Sequence, residues 1–548
     1  MCQHCLMASF QRDEVRQALS TTQYDVVIIG AGMTGAGVAL DAASRGLKVA
    51  LIDRGDIASG TSSKSSKMVH GGLRYLQERE FRLVYENLRE RQRLLENAPF
   101  LVRPLPFLIP LFGRDGVVSK AVVKGYSTAL WIYDISGGWR IGKRHQRVTK
   151  AQALAHLPTL NGESLVAGFL YLDARGDDAR VALTLAKTAA LDYGADVANY
   201  IRAIDIAHEP GGRVSGVICH DEIDGTAITL STSTIVNATG VWADDIVTLA
   251  ENTPSHAITP AKGVHLSVPR HRLPADVAAV LNVPGDRRSI FIVPFEEAPY
   301  TFIGTTDTAY EGANDSAHCT PEDVAYLLNA VNTSTSSALT ASDVTGVWAG
   351  LRPLLAPIKG KRASVRTADL SRRHQVTDSH DGVIHVTGGK WTTYRQMAED
   401  TVDALSPYFS TLCKVRTKNL RLHGYGTWQP STELESHLHD RYGTEALVLL
   451  AMIDADPSLK STPIANQPYV GAEFVYGVRY EMATSLIDLL TRRTRAHLHD
   501  ARACVAAAPA IARLVASEFN WNNEEVDRQV ANYRAVAESE FAAAGLSL

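Results

Sequence analysis

Residues 30–35 read Gly-Ala-Gly-Met-Thr-Gly, and Asp53 follows 23 positions after Gly30. Glycines at this spacing suit a backbone that runs close to a pyrophosphate. Gly30 permits the tight turn, Gly32 lets the chain approach the phosphates, and Gly35 lets a helix pack close to a strand. An acid at Asp53 is placed to bind an adenosine ribose and disfavours a 2′-phosphate, which argues against NADP. Such a motif has meaning only inside a β-α-β unit, and the flanking residues provide one. Residues 24–29, Tyr-Asp-Val-Val-Ile-Ile, predict a strand buried on both faces. Ala36 to Ser44 predicts a helix closed by Gly46, and Lys48 to Ile52 a second strand. The glycines alone do not separate FAD from NAD. Their position near the N-terminus of a long chain favours FAD. So does Thr234-Ile-Val-Asn-Ala-Thr-Gly240, a short apolar strand whose turn at Gly240 can return the chain to the same site.

Between Gly60 and Lys67 lie four serines, a threonine and two lysines. After the second strand, such a loop falls at the C-terminal edge of a parallel sheet, where ligands bind. Ser62, Ser63 and Ser66 are therefore candidates to contact pyrophosphate or the flavin ring. A flexible surface loop is the alternative.

The run from Ser62 to Leu76 (SSKSSKMVHGGLRYL), followed by residues 80–91 (EFRLVYENLRER), resembles the FAD-dependent, quinone-linked glycerol-3-phosphate dehydrogenases, not the soluble NAD type. Further matches recur at residues 171–180, 238–243, 260–266, 302–307, 349–354, 388–395, 474–483 and 490–495, so the resemblance covers most of residues 20–540. It implies an α/β fold: a Rossmann-like FAD-binding domain with an interleaved α+β substrate cap of the amino-acid-oxidase type, then a C-terminal all-helical domain. The expected division is an N-terminal extension over 1–22, a discontinuous FAD domain with its cap over 23–410, and the helical domain over 411–548.

Glycerol 3-phosphate is a dianion carrying a secondary alcohol. Its oxidation needs cations for the phosphate, a base for the hydroxyl proton and a hydride acceptor, which flavin N5 provides. Arg74 and Arg352 offer planar forks to phosphate oxygens, Lys390 a point charge and Tyr75 a neutral donor. The resemblance implies that Arg74, Arg352 and Lys390 converge near substrate and flavin, with Gly389 and Thr392 against the cofactor. Lys390 or Arg352 would also stabilise negative charge on the reduced flavin. His265 lies in the alternating stretch Lys262 to Val268, and the resemblance makes it the first choice for the base, with His70 the second. A structural strand histidine is the plain alternative for His265.

The wider composition sets limits. Apolar residues make up 45%, charged residues 21%, and the net charge is −4, which gives no support to wholesale nucleic-acid binding. Six cysteines do not make a disulfide framework, and the lone Cys2-x-x-Cys5 lacks the second ligand pair that zinc needs, so no metal is expected. No secretory signal appears, and no uninterrupted apolar stretch reaches the ~20 residues of a spanning helix. The nearest, residues 100–112, holds prolines 104, 106 and 110, which forbid a regular helix. The resemblance implies a cytoplasmic enzyme peripheral on the inner membrane face, with a quinone as acceptor. Residues 100–112, Lys143 to Arg147 and Lys359 to Arg362 are the candidate lipid contacts; a core segment and solvated faces explain them equally well. The oligomeric state is open, a homodimer being one option. Two helices are expected over 433–439 and 445–452, then one over 482–490, one over 501–519 kinked or split by Pro509, and one from 521 capped by Asn522 or Asn523. The rivals are a glycerol-3-phosphate oxidase using oxygen, an amino-acid-oxidase-like enzyme, and a flavin-bearing scaffold.

Overall fold

The computed structural model describes residues 10–73, 75, 80–113, 118–251, 256–283, 286, 288–355 and 373–548. Arg74, the Cys2/Cys5 pair and the basic group at 359–362 lie outside the described residues.

The N-terminal β-α-β unit forms as its sequence dictates, with two adjustments. The expected strand over 24–29 breaks at Asp25, whose carboxylate accepts the Lys48 amide at 2.7 Å. Gln23–Tyr24 consequently joins one sheet and Val26–Ile29 another. All four residues of Val26–Ile29 are buried, as a parallel strand covered on both faces requires. The helix runs from Met33 to Ser44 and is capped by Gly32, so its first turn opens directly on the glycine motif. Val26–Ile29 is central in a six-stranded sheet ordered His374–Asp378, Val383–Gly388, Ile235–Asn237, Val26–Ile29, Val49–Ile52, Asp196–Ala198. Five of these strands are parallel, and only the edge pair His374–Asp378 with Val383–Gly388 is antiparallel. The sheet domain is thus discontinuous, with strands drawn from before residue 60, near 196 and 236, and near 385.

A ten-stranded sheet forms the cap above it. The apolar run at 100–112 belongs here as the strand Val102–Phe112, paired along its length with Leu165–Gly176. Its prolines occupy positions 104, 106 and 110. Their missing N–H groups therefore all point to one side of the strand, and the register with residues 167–176 holds from Val102 to Leu111 before an irregularity at Phe112. Phe107, Leu108 and Ile109 are buried, so this segment is core and not a lipid contact. Ile258–Pro269, which carries His265, is flanked by Tyr300–Gly304 and Gly346–Leu355. Ser289–Pro294 is the next strand beyond Tyr300–Gly304.

The described part of the N-terminal extension is a docked helix, Arg12–Leu19. It buries Val15 and Leu19, and its Arg12 and Arg16 each reach Asp221 at 2.7 Å. At the other end, helices Glu433–Tyr442, Ala446–Ala455, Gly471–Tyr480, Ala501–Phe519 and Asn523–Ala543 make the C-terminal bundle. Ala501–Phe519 continues through Pro509 without splitting. The ~3 kcal/mol cost of an interior proline is offset by burial of Cys504, Ala507, Ala508, Ile511, Ala512 and Val515 along one face. The helix expected over 482–490 is largely absent. Met482 takes φ +53, which ends helical geometry there, and only Leu486–Asp488 and the wider turn Leu489–Arg493 form. Asn522 caps the last helix by accepting the Glu525 amide at 2.8 Å.

Candidate active site

The glycine turn is fixed by contacts that only glycine permits. Gly30 has φ +105, and a Cβ there would lie 2.7 Å from the Ala238 carbonyl oxygen. A Cβ on Gly35 would collide with the Gly30 carbonyl oxygen. Gly35→Ala is therefore expected to open the first helical turn and release the dinucleotide. The check is the flavin-to-protein absorbance ratio after purification; a ratio equal to the parent's would remove Gly35 from this role.

Asp53 accepts the Ala31 amide at 2.7 Å and the Gly55 amide at 2.9 Å, so it braces the turn as well as lining the cavity. Burial pushes its carboxyl up to about 6, against those two hydrogen bonds. Ser62 accepts the Met33 amide at 2.8 Å and shares that wall.

The cavity has a volume of about 1090 Å³ and runs from Gly30, Gly32 and Asp53 to Arg352 and Lys390. Ser62, Ser66, Gly240, Gly389, Thr392, His70, Tyr75 and His265 line it. Two of the sequence-derived candidates do not reach it. Gly35 packs beneath the turn, and Ser63 turns away, its carbonyl accepting Arg495 at 2.5 Å. Arg74 is outside the described residues. Small residues, backbone amides at a helix start and an elongated cavity fit a dinucleotide.

His265 is held on several sides. Its Nε2 lies 2.7 Å from Ser66 Oγ, and its ring stacks on Trp348 with centroids 4.9 Å apart and planes 8° from parallel. Gly304, directly opposite in the sheet, leaves the room: a Cβ there would overlap the imidazole. Burial, then Lys67, then Arg352 hold the imidazole well below its ordinary range, so it is neutral at pH 7. Lys67 itself is pushed down to about 8 by burial, despite Asp178 at 3.5 Å.

Arg352 is oriented by Thr305 Oγ1 and the Thr306 carbonyl, both at 3.2 Å, with Asp307 at 3.5 Å. The Lys390 ammonium lies 3.8 Å from the centroid of the Tyr75 ring. Behind His70 to Tyr75, the buried Asp173 receives the Gly71 amide at 3.1 Å, Arg91 at 2.6 Å and the Tyr133 hydroxyl. The local sequence gives no sign of this brace, although Asp173 falls in the matching run 171–180. The sequence marks Ser66 only as a cofactor contact. Trp348 and Gly304 were not singled out, and nothing in the local pattern distinguishes them.

A sequence profile described as FAD dependent oxidoreductase matches residues 25–395, and one described as the C-terminal domain of alpha-glycerophosphate oxidase matches residues 384–526. Glycerol-3-phosphate dehydrogenase 2 of Mycobacterium tuberculosis is 40% identical over 550 residues, covering 97% of this chain and 91% of that protein. The chain belongs to the FAD-dependent glycerol-3-phosphate dehydrogenase family. The mitochondrial member from Homo sapiens is 34% identical over 548 residues, covering 94% of this chain and 73% of that protein. Among solved structures, the glycerol-3-phosphate dehydrogenase from Bacillus halodurans complexed with FAD superposes with a TM-score of 0.76 at 30% identity, over 96% of this chain and 97% of that one. FAD is thus the cofactor of this member too. Among the described residues no group of three or more His, Cys, Asp or Glu side chains is placed to hold a metal ion, and no helix is long and apolar enough to cross a membrane.

Proposed function

We propose that the chain oxidises sn-glycerol 3-phosphate to dihydroxyacetone phosphate and delivers the electrons to a membrane quinone, with His265 as the base and Arg352 and Lys390 as the phosphate clamp. Bound FAD supplies the hydride acceptor. The observation that carries this reading is His265 Nδ1, a buried ring nitrogen without a hydrogen-bond partner among the described residues, on a side chain that lines the same cavity as Arg352. The tautomer in which Nε2–H donates to Ser66 Oγ leaves the lone pair on Nδ1. A substrate hydroxyl fits that acceptor and gives it the proton released as C2 is oxidised.

Arg352, pre-oriented by residues 305–307, offers its guanidinium to phosphate, and Lys390, lining the same cavity, adds a second positive charge. His70 and Tyr75 complete the wall, and Arg74 is the remaining clamp candidate. Residues 23–410 would act as the catalytic body and 411–548 as the helical buttress. The protein would work as a peripheral enzyme on the cytoplasmic membrane face.

The test is anaerobic mixing of the yellow protein with glycerol 3-phosphate. Flavin bleaching is expected, and glycerol alone should give none. With Arg352→Lys, the substrate concentration for half-maximal bleaching should rise at least about ten-fold, because a point charge replaces a planar fork. Absence of bleaching in FAD-loaded protein would refute the substrate, and rapid hydrogen peroxide formation in air would replace quinone by oxygen.

A further inference from the structure

A second cavity, of about 460 Å³, lies where the cap, the sheet domain and the helical bundle meet, and it shares no lining residue with the first. The cap gives it Arg103 and Arg175, the bundle Arg441 and Arg495, and the end of the cofactor loop Lys67. Phe100, Leu101, Phe295 and Phe302 add apolar wall.

Arg103 and Arg175 are direct partners across the strands Val102–Phe112 and Leu165–Gly176. Like charges so placed repel, and the pair needs counter-charge. That counter-charge sits at the surface. Arg175 pairs with Glu296, which is 54% exposed on the turn between Ser289–Pro294 and Tyr300–Gly304. Arg103 meets Asp440, 41% exposed, at 2.6 Å. Burial pushes the Arg175 guanidinium down to about 10; Glu297 opposes that fall and Arg103 adds to it. Lys67 is lowered by burial in the same way. Two cations of one cavity are thus held with too little negative charge around them.

The bundle's arginines add unused donors. Arg441 and Arg495 have Glu473 and Asp177 within ion-pair range, at 3.2 and 3.4 Å, yet their buried Nε–H groups donate to no acceptor among the described residues. Other carboxylates that line the cavity are engaged or outward. Asp177 accepts the Ala179 and Arg180 amides at 3.1 and 3.3 Å, Glu297 lies 3.5 Å from His499, and Glu433 is exposed. A phosphate dianion supplies what this arrangement lacks: oxygens for several guanidinium forks, and charge to offset the Arg103–Arg175 repulsion. The volume is larger than inorganic phosphate needs, and the apolar wall suits a short carbon chain.

We infer that this second cavity binds a small phosphate monoester, with its phosphate between Arg103 and Arg175 in place of the Glu296 carboxylate and its carbon chain against Phe100, Leu101 and Phe295. The site is separate from the catalytic cavity and joins the cap to the helix Glu433–Tyr442 of the bundle.

The experiment titrates the FAD-loaded full chain with glycerol 2-phosphate, which has no C2 hydroxyl to oxidise. Calorimetry reports every site, and flavin absorbance reports a molecule bound beside the flavin. Two sites are expected, only one of them seen by the flavin. Arg175→Gln should abolish the silent site and keep the other. Glu296→Gln should tighten the silent site about three- to five-fold, because an exposed carboxylate no longer competes for Arg175. Glu296 is at the surface, so this variant decides the matter even if Arg175→Gln does not fold. Both variants should keep FAD and bleaching by glycerol 3-phosphate. Occupancy should slow amide exchange in residues 293–297 and 433–441. A single site seen by the flavin, a silent site that Glu296→Gln leaves unchanged or weakens, or protection confined to other segments would overturn the inference. Inorganic phosphate that binds the silent site as tightly as the ester would overturn the choice of an ester.

Discussion

Replacing His265 by alanine lowers the rate at which glycerol 3-phosphate reduces the flavin by about 10²–10⁴-fold, the range that a general base contributes. Affinity for the substrate changes far less, because Arg352 and Lys390 are untouched. Stopped-flow reduction over a series of substrate concentrations separates the two effects. The pH dependence gives an independent reading. Burial, Lys67 and Arg352 hold the imidazole well below its ordinary value, so its neutral, proton-accepting form persists to low pH. In the wild type the rate therefore falls only on the acid side of ~6.5, the unperturbed histidine value. Lys67→Met removes one of the three causes and moves that limb upward. A normal reduction rate in His265→Ala, with FAD retained, would end the base assignment.

The second large effect concerns stability. Asp56 is fully buried where the FAD domain meets the helical bundle. Its carboxylate accepts Arg493 at 2.7 and 2.9 Å, Arg492 at 2.6 Å and Asn199 at 3.0 Å. Burial alone would push the carboxyl up, but Arg493 and Arg492 outweigh it and hold it far below the usual carboxylate range. Asp56→Asn leaves two guanidinium groups facing a neutral amide in a dry interface, and it should cost about 3–5 kcal/mol. Urea denaturation measures the loss, and limited proteolysis should show the bundle detaching first. Because the folded pKa is depressed, this contribution is present above the unfolded carboxyl value of ~3.9 and is lost as pH falls from there toward the folded value. The variant should accordingly lose less stability on acidification than the parent. Equal midpoints at neutral pH would show that the cluster contributes nothing net.

Residues close in sequence were the legible part of this protein. The glycine turn and Asp53 carry their geometry within 24 positions, and the flanking strands at 24–29 and 48–52 announce themselves by apolar, β-branched runs. The convergence of Arg352, Lys390 and His265 on one cavity came from resemblance; spacing carries no trace of it. What stayed hidden depends on partners far along the chain. Ser66 meets His265 across 199 residues, and Asp56 meets Arg492 across 436. A serine-rich loop looks the same whether its hydroxyls face a phosphate or an imidazole. The strand Val102–Phe112 was obscured for another reason. Three prolines usually argue against an interior strand, and only their shared parity reconciles them with full-length pairing on one side.

The loop from Gly60 to Lys67, which lines the cofactor cavity, is tied down by the far end of the chain. Arg495 donates to the Ser63 carbonyl and to Asp178, and Asp178 in turn holds the amide and hydroxyl of Ser65. A ribosome makes residue 495 a full 432 codons after residue 63. The nascent protein therefore carries its dinucleotide motif through that interval without the anchor that sets the neighbouring loop. Cofactor loading in its final form waits for the helical bundle, which locks a cavity whose first walls are made hundreds of codons upstream.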